Sequence, residues 1–491
     1  MATVPRMTTT SPAGPDESTK RLLPWLVAVA FFMQSLDTTI LNTAVPAIAH
    51  AMDVTPLNVK SVLASYTLSL AVFIPISGWM ADRFGTRRVF ATAIGLFTLG
   101  SVLCGLSTNI DMLVACRVLQ GAGGAMMMPV GRMTLARTYG KADLVKAMSF
   151  VAIPSLVGPM IGPVAGGVIV HYLHWSVVFF VNIPVGLLGL YFVRRYLPDY
   201  REQQTHPLDI AGLVLFGGGI ALLSYVLEVF GDNTLSGPEV LGLLALATLM
   251  LAGYGIRATL TAFPLLDLGL FRIRTFRASV SGGFFTRLGL GGIPFLFPLL
   301  YQIGLGFSPI QSGLLVLPQA IASIGLKTFM PAILARLGYR NVLVGNTIIV
   351  GLLIMSFATV GIETPVWRIV VQAFVLGFFT SMQYTSMNTL VYADVSGSQT
   401  SNASTIAATG QQLAISFGVA GASLIAAFFV PAGAHLEPSA MIHGVQQAFL
   451  ILGAITILSS VVFMELRKDD GEAISQHDSV HHSTHGPGSE G

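Results

Sequence analysis

Fourteen separate apolar runs, each near the length of about 20 residues that a helix needs to cross a hydrocarbon core, leave this chain very few folds to choose from. They fall near residues 24–46, 58–80, 89–107, 112–134, 145–170, 176–196, 209–230, 237–256, 279–302, 311–333, 341–361, 366–390, 404–430 and 443–465. Runs of this length satisfy their backbone polar groups in lipid only as helices, and they lack the ten-residue alternation of barrel strands. Only 10% of the 491 residues are charged, against about 25% in a soluble domain. The sequence therefore reads as an all-α integral membrane protein with 14 transmembrane helices, partnered by the lipid bilayer and by no nucleic acid. The first run is too long, and too poor in small residues at its end, for a cleaved signal peptide.

Basic residues orient the spans. Arg83, Arg87, Arg88, Arg132, Arg137, Arg194, Arg195, Arg257, Arg272, Arg336 and Arg340 all fall at or beyond the ends of even-numbered spans, while the opposite loops offer Lys60 and Arg368. By the positive-inside rule both termini and the even loops are cytoplasmic, and the expected location is a bacterial cytoplasmic (inner) membrane. Residues 1–22 and 467–491 are polar and read as disordered cytoplasmic tails.

The chain also repeats itself. Ala81-Asp82-Arg83-Phe84-Gly85-Thr86-Arg87-Arg88 follows the second span, and Leu334-Ala335-Arg336-Leu337-Gly338-Tyr339-Arg340-Asn341 follows the tenth with the same Arg, Gly and Arg spacing. A duplication divides the chain into a six-helix bundle at 23–197, two inserted helices at 198–270 and a second six-helix bundle at 271–466. In membrane proteins built from parallel halves, small molecules bind near the midplane between the halves.

Charges inside the spans mark candidate sites, because an ionised side chain costs at least ~2.5 kcal/mol at that depth unless it meets a partner or a wet cavity. Asp37 stands near the middle of the first span, flanked by Gln34 and Asn42. Arg117 and Gln120 share one face of the fourth span. Asp37 is the natural partner of Arg117; whether that cation tunes proton binding or only locks the fold is open at this level. Arg287 in the ninth span and Lys327 in the tenth are further cations that either face the centre or snorkel to headgroups. If they face the centre, they favour neutral or anionic substrates. Gln383, Tyr384 and Asn388 in the twelfth span are candidate binding groups, with interhelical hydrogen bonding as the alternative. Cys104 and Cys116 lie within apolar runs and read as small core residues. No G-x-x-x-x-G-K-[S/T] occurs, so nothing cradles ATP phosphates, and His477, His481, His482 and His485 read as part of a solvated tail. No cofactor is expected apart from a proton as coupling ion.

Together these residues resemble a family. Gly78-Trp79-Met80-Ala81-Asp82-Arg83-Phe84-Gly85-Thr86-Arg87-Arg88 is similar to the loop signature of the major facilitator superfamily. Leu36-Asp37-Thr38-Thr39-Ile40-Leu41-Asn42 resembles the first-span signature of its fourteen-helix drug:proton antiporters, the EmrB/QacA type, and the chain is most similar to the branch of MdtD and HsrA. The resemblance implies a major facilitator fold, a proton-coupled exporter rather than an enzyme, and Asp37 and Arg117 as its proton-coupling pair. It implies that Gly158, Pro159, Gly162, Pro163, Gly166 and Gly167 form the antiporter motif, which argues for export. It also makes Gly78, Asp82, Arg83, Gly85, Arg87 and Arg88, with Arg336, Gly338 and Arg340 of the second copy, gating residues. In that reading Asp82 latches the cytoplasmic side by sitting at the amino terminus of the thirteenth helix, whose leading residues Gln399, Thr400, Ser401 and Asn402 suit a cap. The family's Arg between two Trp before the sixth span is missing here, where Trp175 is followed by Ser176. A monomer is expected, and no segment announces a periplasmic adaptor. The runner-up readings are an exporter of one native metabolite or organic anion, and a ligand sensor of transporter fold that does not transport.

Overall fold

The computed structural model describes residues 17–139, 141–202, 205–230, 236–325, 330–396, 399–430, 437–467 and 469–471, and among them there is no strand. The first half consists of α1 (Glu17–Ala51), α2 (Lys60–Phe84), α3 (Thr86–Gly105), α4 (Ile110–Thr138), α5 (Lys141–Tyr172) and α6 (Val177–Tyr196). The inserted pair is α7 (Ile210–Phe230) and α8 (Gly237–Leu260). The second half opens with α9 (Arg274–Gly304), a helix whose last turns widen to a π-helical stretch at Leu299–Gly304. α10 (Pro309–Gly325) is followed by α11 (Met330–Ser356), which is kinked at Gly338. α12 (Val366–Leu390), α13 (Thr400–Phe429) and α14 (Pro438–Phe463) complete it. Twelve helices among the described residues are long and apolar enough to cross a membrane. The other two expected spans are α5, whose described apolar part is Val157–Tyr172, and the 17-residue α10.

Local chemistry sets the ends. Asn109 caps α4 by accepting from the Met112 amide at 2.8 Å. Ser236 and Glu239 form a capping box on α8. Asp209 accepts from the Gly212 amide at the start of α7 (2.8 Å) and from Arg257 of α8 (2.6 Å), so one carboxylate caps the inserted hairpin and ties its two helices together. Gly85 and Gly338 occupy the same place in the two repeats, and both take positive φ, 95° and 73°. A residue with a Cβ is strained there, so the sharp turn needs glycine in both copies.

Two boundaries differ from those expected. α1 begins at Glu17, ahead of Pro24, and the Tyr139 hydroxyl donates to the Lys20 carbonyl. Beyond α14, Asp470 accepts from Arg274 of α9 at 2.5 and 3.0 Å and from the Arg467 amide at 2.7 Å, so the start of the carboxy-terminal tail is docked.

The two halves repeat one packing scheme. α1 packs on α5, α2 on α4 and α3 on α6; correspondingly α9 packs on α13, α10 on α12 and α11 on α14. The halves meet along α2 with α13 and α5 with α10, related contacts of a two-fold arrangement. α7 lies beside the α2–α13 seam. The apolar cores are divided unevenly. At the end away from the basic loops one cluster crosses both halves, joining Ile40, Ala44 and Ile48 of α1 to Phe295, Phe297 and Tyr301 of α9 and Phe449 of α14. There Gln302 donates to the Thr43 carbonyl (2.9 Å), Ser423 to the Leu57 carbonyl (2.8 Å) and Ser416 to the Ala64 carbonyl (3.0 Å). Towards the basic-loop end, the cluster around Phe31, Phe90 and Phe97 draws its buried members from the first half alone and that around Tyr339, Leu343 and Phe463 from the second half alone, while a fourth cluster joins Ala71 of α2 to Phe216 of α7, Phe276 of α9 and Ala403 and Ile406 of α13.

Candidate functional site

Asp37 sits on α1 fourteen positions before Ala51, about 21 Å from that end at 1.5 Å per residue. It is 1% exposed and its carboxylate is fully engaged. Arg117 Nη1 of α4 donates to Oδ2 at 2.7 Å. Gln120 Nε2, one turn on, donates to Oδ1 at 2.8 Å, and Asn182 Nδ2 of α6 donates to the same oxygen at 3.0 Å. Arg117 is bound in turn: Nη1 also donates to Gln120 Oε1 (2.7 Å), Nε to the Val62 carbonyl (3.3 Å), and the guanidinium lies 4.1 Å from the centre of the Tyr66 ring. Asn182 donates further to Ser101, whose hydroxyl donates to the Phe179 carbonyl at 2.8 Å. One acid, one cation and their neutral donors thus form a closed network across α1, α2, α3, α4 and α6.

Of the residues picked out on sequence, Asp37, Arg117 and Gln120 come together as expected. Gln34 is buried one turn before Asp37, and its Oε1 has no hydrogen-bond partner among the described residues. Asn42 is half-buried, further along α1. Asn182, Ser101 and Tyr66 escaped sequence reasoning. A single asparagine in the apolar run of α6 was the available signal, but nothing local says which face it takes.

The glycine motif of α5 explains how α1 is held. A methyl group on Gly158, Gly162 or Gly166 would lie 2.7 Å from Ser35 Oγ, 2.1 Å from Thr39 Oγ1 or 2.3 Å from the Ile40 carbonyl, so all three glycines are spent on the approach of α1. Thr43 donates to the Pro163 carbonyl at 3.0 Å. Gly167 faces the other half, where a methyl would meet the Pro309 carbonyl at 2.4 Å; reciprocally, a methyl on Gly313 would meet the Pro163 carbonyl at 2.3 Å. Pro159 and Pro163 lie within this helix and remove backbone donors from it.

The turn after α2 is not latched in this conformation. Asp82 does not cap α13. It accepts from Arg137 Nη2 of α4 at 2.8 Å, and the same Arg137 nitrogen lies 3.0 Å from Glu202. Gln399, the residue before α13, makes no side-chain cap bond, and Ser401, Asn402 and Thr405 face Gly78, Trp79 and Asp82 across a cavity of about 300 Å³. With that cavity between it and α13, Asp82 finds its cation within its own half. Gly78 is not needed for a close helix approach either, since a methyl there would meet nothing nearer than Met133 at 3.7 Å. Arg83 and Arg88 are exposed, while Arg87 donates to the Leu197 carbonyl (2.5 Å) and its amide to Asp199 (3.1 Å). In the second copy Arg336 is exposed and Arg340 half-buried.

The Major Facilitator Superfamily profile matches residues 27–419 and 279–485. A Serratia proteamaculans (strain 568) protein named "Putative multidrug resistance protein MdtD" is 38% identical over 445 residues, 91% of this chain and 93% of its own. Its namesake from Escherichia coli O6:K15:H31 (strain 536 / UPEC) is 37% identical over 461 residues, 94% and 97% of the two chains. The chain belongs to the Major Facilitator Superfamily. Its relatives place it in the MdtD branch, and it is a multi-pass membrane transporter by fold and family. Solved superfamily folds agree: a D-xylose-proton symporter superposes with a TM-score of 0.65 at 14% identity, covering 92% of this chain and 99% of its own. A bacterial homologue of the human lysosomal transporter Spinster, in an inward-facing and unoccupied conformation, gives 0.63 at 13% identity, covering 91% and 97%.

The second half of this superfamily chain carries a site of different character. Arg287 of α9 is 7% exposed. It does not snorkel: Nη2 donates to Asn388 Oδ1 at 2.7 Å, and the guanidinium lies 5.1 Å from the centre of the Tyr384 ring. Gln383 does not join them. It is fully buried and clamps α12 to α11, accepting from Asn346 Nδ2 and donating to Thr347 Oγ1, each at 2.7 Å. Lys327 and the histidines of the tail lie outside the described residues.

Proposed function

We propose that this chain is a proton-coupled exporter of small molecules, of the multidrug-efflux type, working by alternating access from the cytoplasmic membrane with both termini inside. The observation that carries this reading is Asp37, an ionisable carboxylate near mid-membrane held by Arg117, Gln120 and Asn182 in the first half. The names of the MdtD relatives support drug-type substrates, and the glycine motif of α5 supports export.

In the working cycle Asp37 is ionised and paired while substrate enters from the cytoplasm. The cavity between Asp82 and Ser401 at the basic-loop end, and the continuous core at the other, suit this inward-facing stage. Once the transporter has reoriented, protonation of Asp37 from outside removes the charge that Arg117 balances, loosens the α1–α4 contact, and releases substrate. Arg117 is then held by the Gln120 and Val62 oxygens until Asp37 gives up the proton to the cytoplasm. Asp82 exchanges Arg137 for the start of α13 when the cytoplasmic side closes.

The test uses inverted membrane vesicles with an imposed pH gradient and a panel of dyes and metabolites. Accumulation by the wild type that needs the gradient and vanishes in Asp37→Asn is the expected result. Equal transport by Asp37→Asn moves the coupling site elsewhere, and ligand binding without accumulation of any compound favours a sensor.

A further inference from the structure

The charges of the two halves do not balance in the same way. In the first half Asp37 neutralises Arg117. In the second half the acidic residues between Arg274 and Phe463 are Glu363, Asp394 and Glu437, and all three lie outside the helices. Arg287, thirteen residues into α9 and so about 20 Å from its start, therefore has no acid within the spans of its own half. Among the described residues its guanidinium forms no ion pair. It donates to the amide oxygen of Asn388, a neutral acceptor that satisfies one N–H and leaves the charge. Arginine stays protonated, so this charge lacks a counter-charge among the described residues.

The surroundings say what shape the counter-charge takes. Asn388 is exposed and Tyr384 half-buried, so the site opens at its α12 side. Gly283, one turn before Arg287, leaves no side chain over Nη1; a methyl there would sit 2.7 Å from that nitrogen. A guanidinium edge matches a carboxylate geometrically, with two parallel N–H···O bonds. The Tyr384 ring beside it offers a flat apolar surface to an aromatic body. We infer that Arg287, Tyr384 and Asn388 form an anion subsite, and that the preferred substrates are aromatic or apolar molecules bearing one carboxylate. This rests on the exporter reading and assigns its substrate class; the anion, bound in the second half, cancels the uncompensated cation during reorientation.

The test measures binding of 2-naphthoate, 2-naphthamide and 2-naphthylmethylammonium to the purified full-length protein by calorimetry, without any gradient. Naphthoate is expected to bind about tenfold more tightly than the amide, and the ammonium probe more weakly than both. Arg287→Gln is expected to bring naphthoate to within about twofold of the amide, leaving the amide unchanged, and Arg287→Lys to keep the preference. Asn388→Asp gives Arg287 a carboxylate in place and is expected to abolish the preference in a folded protein. Equal binding of the three probes, no detectable naphthoate binding, or a preference that survives Arg287→Gln overturns the subsite. A naphthoate preference without gradient-driven accumulation in vesicles leaves the subsite standing and removes proton-coupled export. Gradient-driven transport that is indifferent to probe charge and to Arg287→Gln does the reverse.

Discussion

Arg117 Nη1 lies 2.7 Å from Asp37 Oδ2, and each side chain is 1% exposed. Neither charge has access to bulk water in this conformation, so each depends on the other. Removing one member of such a pair strands the other, at a cost of about 3 kcal/mol or more. Asp37→Asn is therefore expected to lower thermal stability and abolish gradient-driven transport. The double variant Asp37→Asn with Arg117→Gln is expected to recover much of the stability and none of the transport. Melting curves and vesicle uptake measured on the same preparations decide this. Recovery of transport in the double variant would show that the pair is a lock and not a coupling device.

Asn182 donates to Asp37 at 3.0 Å from a different helix, so it reports whether α6 belongs to the coupling network. Asn182→Leu keeps the branching and heavy-atom count and removes the donor to a charged acceptor. A loss of about 2 kcal/mol in stability and a clear fall in gradient-driven uptake are expected. Uptake and melting temperature both equal to wild type would reduce Asn182 to packing.

Gly167 and Gly313 let α5 and α10 meet backbone to backbone across the two halves, where methyl groups would come within 2.4 Å and 2.3 Å of carbonyl oxygens. Gly313→Val is expected to hold this end apart. Its readout is a cysteine placed at Ser423, which in the wild type donates to the Leu57 carbonyl of the opposite half. Membrane-impermeant thiol reagents added outside should label Ser423→Cys faster in the Gly313→Val background. The native Cys104 and Cys116 are buried and give a low blank. Unchanged labelling means that the seal lies elsewhere.

Asp470 gives a pH dependence outside the membrane. Burial pushes its carboxyl up, but the Arg274 hydrogen bonds and the Arg467 amide outweigh this, and its pKa is held below the ordinary carboxylate value. A depressed folded pKa means that the contribution to stability is present above the unfolded pKa, about 3.9, and is lost as pH falls through the folded value. The difference in melting temperature between wild type and Asp470→Asn should be constant near neutral pH and shrink below about pH 4. A difference that grows on acidification contradicts the sign.

Reading the sequence alone reached the membrane class, the fourteen spans, the duplicated turn and the partners Asp37, Arg117 and Gln120. Each of these rests on a signal local to one stretch of chain: hydropathy over about 20 residues, a glycine where φ turns positive, an i, i+3 pair on one helix face. A lone acid in the first half's spans also leaves a buried arginine little choice of partner. What sequence could not reach is the set of contacts made between helices distant in the chain. Asn182 reaches Asp37 across 145 positions, Gln383 turns into α11 and away from Arg287, and Asp82 takes Arg137 in place of the start of α13. In each case the side chain is polar, its residue type allows several partners, and the choice depends on the rotation of one helix against another. That rotation is set by packing, by glycines such as Gly162 and Gly313 whose close approaches exist only once both helices are in place. Hydropathy and the repeated turn thus determined that the chain spans a membrane as two related bundles, whereas the tertiary structure decided which buried cation, Arg117, meets an acid and which, Arg287, meets only neutral groups among the described residues.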